Sequence, residues 1–172
     1  MTDPPRTGEL QMRRTRAGKL LWLVLVLAVG AVAAWYATHP SPLPTTTTAV
    51  TASTPVGEPV YVGVLSPTDG SGRTVHIRGI DVDPVGAVPL GVDGKVCKGG
   101  ALAVTSDPEA FCTRLVDAEG ASVGPGDVLV LEISGQTAGE VDLGRVRVTY
   151  RDGLQWGSDE AGPPVTVTFL SR

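Results

Sequence analysis

The chain has few of the residues that carry metal and nucleophilic chemistry. Its 172 residues include only two cysteines, two histidines and two methionines. Both methionines precede the hydrophobic stretch described below, and His76 is the only histidine after residue 57. Zinc sites take four Cys or His ligands, and copper sites take Cys, Met or several His. We therefore expect no transition-metal site and no bound cofactor.

Phosphate-binding loops and nucleophile motifs are also missing. No G-x-S-x-G sequence occurs, and no glycine-rich run opens a helix. One histidine, His76, offers no partner set for a catalytic triad. A calcium site or a carboxylate-pair enzyme would depend on the acidic residues Asp81, Asp83 and Asp93. We predict no catalytic or metal-ligating residue, and an extracytoplasmic enzyme of this acidic kind is the alternative function.

Charge is divided unevenly along the chain. The net charge is −4, yet residues 1–19 carry five Arg or Lys and only two Asp or Glu. Residues 58–172, in contrast, carry nine Arg or Lys and sixteen Asp or Glu. An acidic domain of this kind argues against a nucleic-acid partner. The division predicts a basic tail facing one compartment and an acidic domain facing another. Abundant Ala, Val, Gly and Arg with little Lys is typical of a high-GC bacterial genome.

An uncharged stretch of eighteen residues, Leu20–Ala37, follows the basic tail. As a helix it would span about 27 Å, close to the ~30 Å hydrocarbon thickness of a bilayer. Trp22 and Trp35 lie near its two ends, as in an aromatic belt. Basic residues cluster before the stretch and the next one is Arg73, so the positive-inside rule places the N-terminus in the cytoplasm. We predict a cytoplasmic tail over 1–19 and a transmembrane signal anchor over 20–38 in the cell (plasma) membrane.

A cleaved secretory signal is the alternative, because Ala31–Ala33 offers an A-x-A cleavage site. The uncharged run is longer than the usual core of about 7–15 residues in a signal peptide, which favours the anchor. Gly30 and Ala34 have the small-xxx-small spacing that permits close helix pairing. The oligomeric state stays open.

Residues 39–57 are rich in Ser, Thr and Pro, which account for twelve of the nineteen. Four prolines would interrupt a helix and remove hydrogen-bond donors from a strand. We therefore predict a linker without regular structure. In extended form it would reach about 55 Å, at ~3.1 Å per residue.

Residues 58–172 alternate apolar and polar side chains over short runs. Turn signals separate these runs, among them TDGSG at 68–72, Asp93–Gly94, Asp152–Gly153 and GPP at 162–164. Short strands at this spacing are typical of a sandwich or a barrel. We predict an all-β extracytoplasmic domain, either an immunoglobulin-like β-sandwich or a small β-barrel, preceded by one transmembrane helix. No Trp lies between the two cysteines, so the sequence indicates no particular family.

At two glycines within predicted strands, the apolar residues change from odd to even positions or the reverse. Val75 and Ile77 share one face, and beyond Gly79 the apolar positions move by one residue; the same shift occurs at Gly144. A β-bulge produces such a shift, because it inserts one extra residue into a strand. Only one short helical turn is expected in the domain, where Asp107–Pro108 places a capping residue before a proline.

Cys97 and Cys112 are separated by fourteen residues. A metal site would lack further ligands, and a redox pair usually has C-x-x-C spacing. Outside the cytoplasm disulfides persist. We predict that the two cysteines form a disulfide that fixes an irregular crossover to the β core.

Arginines and a tryptophan come together near the predicted C-terminal hairpin. With an Asp-Gly type I′ turn, Thr149 would pair with Trp156 and place its indole beside Arg147 and Arg151. Arg and Trp often anchor interfaces, and they attract each other through cation–π contacts. We predict a partner-binding surface made of Arg145, Arg147, Arg151 and Trp156, with a solvated sheet face as the alternative.

The sequence as a whole favours a single-pass membrane protein whose outer β domain is a binding or assembly module. Its expected partners are the lipid bilayer, through residues 20–38, and a protein outside the cytoplasm. An accessory subunit of a larger membrane complex is a further alternative.

Overall fold

Ten strands, one long helix and one 3₁₀ turn make up the computed structural model, which describes residues 16–67, 72–86 and 89–171. The helix and the strands have the following bounds: α1 Arg16–Thr38, β1 Val50–Pro55, β2 Val60–Leu65, β3 Val75–Asp81, β4 Leu90–Lys98, β5 Val104–Thr105, β6 Arg114–Asp117, β7 Ser122–Val123, β8 Val128–Gly135, β9 Gly139–Asp152 and β10 Gln155–Leu170. The 3₁₀ turn, Pro108–Ala110, lies between β5 and β6. The predicted cytoplasmic tail falls mostly outside the described residues, as do residues 68–71 of the predicted TDGSG turn.

The helix α1 contains the predicted hydrophobic stretch and begins four residues before it. Over Gly18–Thr38 its mean hydropathy is 2.3, and its side chains are exposed. Among the described residues it is the one helix long and apolar enough to cross a membrane. A signal sequence near an N-terminus has the same two properties.

The strands form two five-stranded sheets, so the all-β domain is a β-sandwich-like fold rather than one closed barrel. The strand order is β1-β10-β9-β3-β7 in the first sheet and β5-β2-β8-β4-β6 in the second. Most neighbours are antiparallel, and β1 runs parallel to β10. The prediction of an all-β domain preceded by one apolar helix is confirmed.

The main core lies between the two sheets and follows the predicted alternation. Val75 and Ile77 of β3 are buried, as are Leu129 and Leu131 of β8. They pack with Tyr150, the largest fully buried side chain, in one apolar cluster. Burial of the inward side chains of both sheets is the main source of stability in a fold of this type.

A second, smaller apolar cluster covers the outer face of β8. Val128 and Val130, which face away from the main core, pack with Cys97 and Cys112. The two cysteines form the predicted disulfide, with a Cα–Cα distance of 5.2 Å. The segment between them, which includes the edge strand β5 and the 3₁₀ turn, is thus fixed to the second sheet. Asp107 precedes the turn but does not cap it with its side chain; its backbone N–H is bonded to Thr105 Oγ1.

An ion pair stabilises the base of this crossover. Lys98 Nζ lies 2.8 Å from Asp127 Oδ2, and the same carboxylate accepts hydrogen bonds from the backbone N–H groups of Gly124 and Gly99. Burial alone would raise the pKa of Asp127, but the bonds from Lys98 and the two amides outweigh it and hold the pKa below its usual value. Asp127 therefore stays ionised where it meets the crossover.

The segment predicted to be a linker is largely part of the β-sandwich. Residues 50–55 form β1, and Leu43 is buried in the main core. Thr45 bridges to Gly162 of β10, whose N–H is bonded to the carbonyl of Pro44. Proline is tolerated here because β1 lies at the edge of the sheet. The β domain thus begins before residue 58, and the predicted reach of an extended spacer does not apply; residues 39–46 are called the entry segment below.

Two predicted turns lie inside strands. Asp93–Gly94 lies within β4, where a side chain at Gly94 would collide with Ile80 of β3. The GPP sequence at 162–164 lies within β10, at a register shift against β9. In contrast, the predicted irregularities at Gly79 and Gly144 both coincide with register shifts, which confirms them as bulges.

Candidate functional site

The β9–β10 hairpin sets the geometry of the predicted partner-binding surface. Asp152 pairs with Gln155, so the two turn residues are Gly153 and Leu154 rather than Asp152 and Gly153. Gly153 has φ 58°, and no described non-glycine residue has positive φ. This pattern matches a type II′ turn, which needs glycine at its first central position, and not the predicted type I′ turn.

The shift of the turn changes the neighbour of Trp156. Trp156 pairs with Arg151, and Thr149 pairs with Ser158, to which its hydroxyl donates a hydrogen bond of 3.3 Å. The predicted pairing of Thr149 with Trp156 is therefore wrong by two residues. Because a shift of two keeps every side chain on its original face, Trp156 still lies on the outer face of the first sheet.

Three rows of side chains cross this outer face from β3 through β9 to β10. The first row is His76, Arg151 and Trp156; the second is Gly79, Thr149 and Ser158; the third is Asp81, Arg147 and Glu160. In the third row the charge of Arg147 lies between two acids. Arg147 is therefore not beside the indole, contrary to the prediction.

Trp156 is contacted by two guanidinium groups. The Cζ atom of Arg151 lies 5.3 Å from the ring centroid, and that of Arg78 lies 5.7 Å from it. Arg78 is the extra residue at the bulge between Ile77 and Gly79, and it reaches the indole across β9. Both distances are within the range of a cation–π interaction. We call Arg78, Arg151 and Trp156 the cationic-aromatic patch.

Among the described residues, the guanidinium groups of the patch have no acidic partner. Within the described part of the chain, no carboxylate oxygen lies within 4.0 Å of a side-chain nitrogen of Arg78 or Arg151. Arg151 Nε donates instead to the carbonyl oxygen of Gly153 at 2.6 Å. Trp156 is 51% exposed. In a domain with an excess of acidic residues, this leaves two uncompensated positive charges beside an accessible indole.

Arg145 does not belong to this surface. Its Nη2 donates to the carbonyl oxygen of Thr46 at 3.3 Å, and its Nη1 lies 3.8 Å from Glu160 Oε2. Arg145 thereby connects β9 to the entry segment. The sequence prediction placed all three arginines of β9 in one binding surface, whereas only Arg151 takes part in the patch.

A polar network beneath the hairpin holds the entry segment. Tyr150 Oη donates to Asp159 at 2.7 Å and lies 3.0 Å from the carbonyl oxygen of Ser41. Arg73 bonds to the same carbonyl at 2.7 Å and to Asp152 at 2.7 Å. Burial and the nearby carboxylate of Asp159 raise the pKa of Tyr150 to about 12, against the opposing charge of Arg73. Tyr150 therefore remains a hydrogen-bond donor at physiological pH.

The acidic residues weighed for catalysis lie apart. Asp81 belongs to the first sheet and Asp93 to the second. A cleft of about 570 Å³ is lined by Asp93, Asp117 and Glu119, but not by Asp81 or Asp83. Over residues 16–67, 72–86 and 89–171, no three His, Cys, Asp or Glu side chains are placed to hold a metal ion.

Sequence reasoning missed Arg78, the second cation on the indole. The alternation around β3 does place Arg78 on the same face as His76, so its sidedness was predictable. Its contact with Trp156 depends on β3 pairing with β9 and on the bulge, both of which join residues about 70 positions apart.

Comparison with known proteins adds no assignment. No protein-family model matches the chain, and no curated protein matches it.

Proposed function

We propose that the protein is a single-pass, membrane-anchored binding or assembly module whose β-sandwich lies outside the cytoplasm. In this proposal α1 is the anchor, with the N-terminus cytoplasmic, and the cationic-aromatic patch is the ligand-binding surface. The observation that supports this proposal is that two guanidinium groups without an acidic partner contact a half-exposed indole in an acidic domain.

Two features support the location. The exposed apolar face of α1 runs all around the helix, which suits a lipid environment. The buried disulfide between Cys97 and Cys112 fits an oxidising compartment, since cytosolic thiols are kept reduced. Together with the basic residues before the apolar part of α1, they favour an extracytoplasmic β domain over a cytoplasmic one.

The chemistry of the patch supports an anionic ligand. Guanidinium groups bind carboxylates and phosphates in a bidentate manner, and an indole adds apolar contact area. Arg and Trp are also the residues most often found at the energetic centre of interfaces.

Purification from native membranes tests this function. We expect the full-length protein to retain an anionic component, a protein or a lipid, and the variant Arg78→Gln/Arg151→Gln to retain at least about tenfold less, since interface arginines often contribute more than 1 kcal/mol each. The readout is quantitative mass spectrometry of copurifying proteins and lipids.

The control variant Arg114→Gln/Arg147→Gln removes the same formal charge away from the indole. It should retain the ligand at the wild-type level. Identical sets and amounts of bound components for all three proteins would contradict the assignment of the patch.

We further propose that the sandwich is immunoglobulin-like. In such domains strands C, F and G share one sheet, and B, E and D share the other. Here β3-β9-β10 and β2-β8-β4 are adjacent in the corresponding order, with β5 to β7 added between the strands that correspond to D and E. This order supports the proposal, because it assigns a strand to each of those six positions.

A further inference from the structure

The tip of the β9–β10 hairpin exposes two large apolar side chains, one of which is the tryptophan of the cationic-aromatic patch. Leu154 is 75% exposed and Trp156 is 51% exposed. Tryptophan is enriched at the headgroup level of membranes, and basic residues are attracted to anionic lipids. Leu154, the indole of Trp156 and the guanidinium of Arg151 on this hairpin, with the guanidinium of Arg78 from β3, therefore form a combination suited to an anionic membrane surface.

The same hairpin tip receives the chain as it leaves α1. Thr38 is the last residue of α1, and the carbonyl of the next residue, His39, accepts a hydrogen bond from Gln155 Nε2 at 3.3 Å. Pro40 packs so closely against Gly157 that a Cβ there would lie 2.5 Å from the proline ring. Gln155 and Gly157 are the two neighbours of Trp156 in β10. His39 and Pro40, the first two residues after α1 in the chain, thus both contact this hairpin.

The polar network beneath the hairpin keeps this connection short. Ser41 is bonded to both Tyr150 and Arg73, and the carbonyl of Pro42 accepts a hydrogen bond from Arg73 Nη1 at 3.3 Å. The entry segment therefore does not act as a free spacer. A membrane held by α1 would be presented to the hairpin tip at a high effective concentration.

We propose that Leu154 and the cationic-aromatic patch dock on the anionic headgroup layer of the membrane that holds α1. This inference rests on the proposed anchoring. Leu154 and Trp156 reach the boundary between headgroups and acyl chains, while Arg78 and Arg151 bind lipid phosphates. Charge complementarity and the short connection to α1 favour the anionic membrane as the ligand. A soluble partner would not be held near the patch by the chain itself.

Fluorescence of Trp156 tests lipid contact directly. In full-length protein carrying Trp22→Phe and Trp35→Phe, Trp156 is the only tryptophan. The protein is reconstituted into vesicles of phosphatidylcholine alone or of an equimolar mixture with phosphatidylglycerol, in each case with acyl chains brominated close to the headgroup. We expect quenching and a blue shift in the anionic vesicles and much weaker effects in phosphatidylcholine.

Charge variants identify the groups responsible. Arg78→Gln/Arg151→Gln should lower the equilibrium constant for lipid contact about 30-fold, because each basic residue near an anionic surface contributes about 1 kcal/mol. Arg114→Gln/Arg147→Gln, with the same net charge, should behave like the parent protein. An intact disulfide and an unchanged melting temperature show that each variant is folded.

Flotation of the protein with the vesicles measures anchoring separately. If the protein floats but Trp156 is unquenched, or is quenched equally in both lipids, docking on anionic lipid is wrong while the anchor stands. If capture of an acidic protein still depends on Arg78 and Arg151 in that case, the ligand of the patch is a protein and the proposed function survives. Failure to float contradicts the anchoring itself.

Discussion

Removing the disulfide with Cys97→Ala/Cys112→Ala should lower the free energy of unfolding of the β domain by about 3 kcal/mol. The cross-link closes a loop with a sequence separation of 15 residues, which restricts the unfolded chain. Both side chains are buried against Val128 and Val130, so their truncation also leaves a small cavity. The measurement is urea unfolding of the full-length protein in mild detergent, followed by near-ultraviolet circular dichroism.

Reduction of the wild-type protein under the same conditions separates the two contributions. It opens the loop but keeps both side chains, so its unfolding midpoint should lie between those of the oxidised protein and the double variant. A double variant as stable as the oxidised wild type would show that the crossover does not depend on the cross-link.

Substitution of Gly162 by alanine should destabilise the domain by roughly 2–5 kcal/mol. Gly162 has φ 72°, and a Cβ there would lie 2.1 Å from the carbonyl oxygen of Val64. The left-handed conformation contributes roughly 1–2 kcal/mol and the overpacking roughly 1–3 kcal/mol. Because Gly162 also bonds to Pro44 and Thr46, hydrogen exchange at the amide of Thr46 should become faster. Urea unfolding and native-state hydrogen exchange measure these two effects.

Gly120→Ala is the matched control. Gly120 has φ 80°, similar to Gly162, but no heavy atom lies within 4 Å of a Cβ built there. The Gly120→Ala variant should therefore lower the free energy of unfolding only by the cost of the left-handed conformation, about 1–2 kcal/mol. The hydrogen exchange of the Thr46 amide should be unchanged. Equal losses for the two variants would mean that the close contact with Val64 is relieved without cost.

The sheet faces and the cysteine pair could be predicted because local alternation and composition encode them. Val75, Ile77 and the inward residues of β8 are buried as their period of two indicates. β1 could not be predicted in this way, because its few apolar residues lie among Thr, Ser and Pro. It is held by β10, more than 100 positions later in the chain, and this long-range parallel pairing has no local signal.

The register of the hairpin shows where alternation stops being informative. Turns at Asp152–Gly153 and at Gly153–Leu154 differ by two in their cross-strand partners, so both place Trp156 on the same face. The sequence pattern therefore predicted the contact of Trp156 with Arg151, but it also placed Arg147 beside the indole. Arg78, and not Arg147, is the second arginine at the indole because the third strand, β3, and its bulge bring it there.

The central claim is that an uncleaved α1 anchors a β domain outside the cytoplasm. Protease treatment of intact spheroplasts that produce the full chain with different epitope tags at its two ends tests it in one measurement. We predict that external protease removes the C-terminal tag while the N-terminal tag stays protected and membrane-bound until the cells are lysed. A chain that has already lost its N-terminal tag, or a C-terminal tag that is digested only after lysis, would contradict the claim.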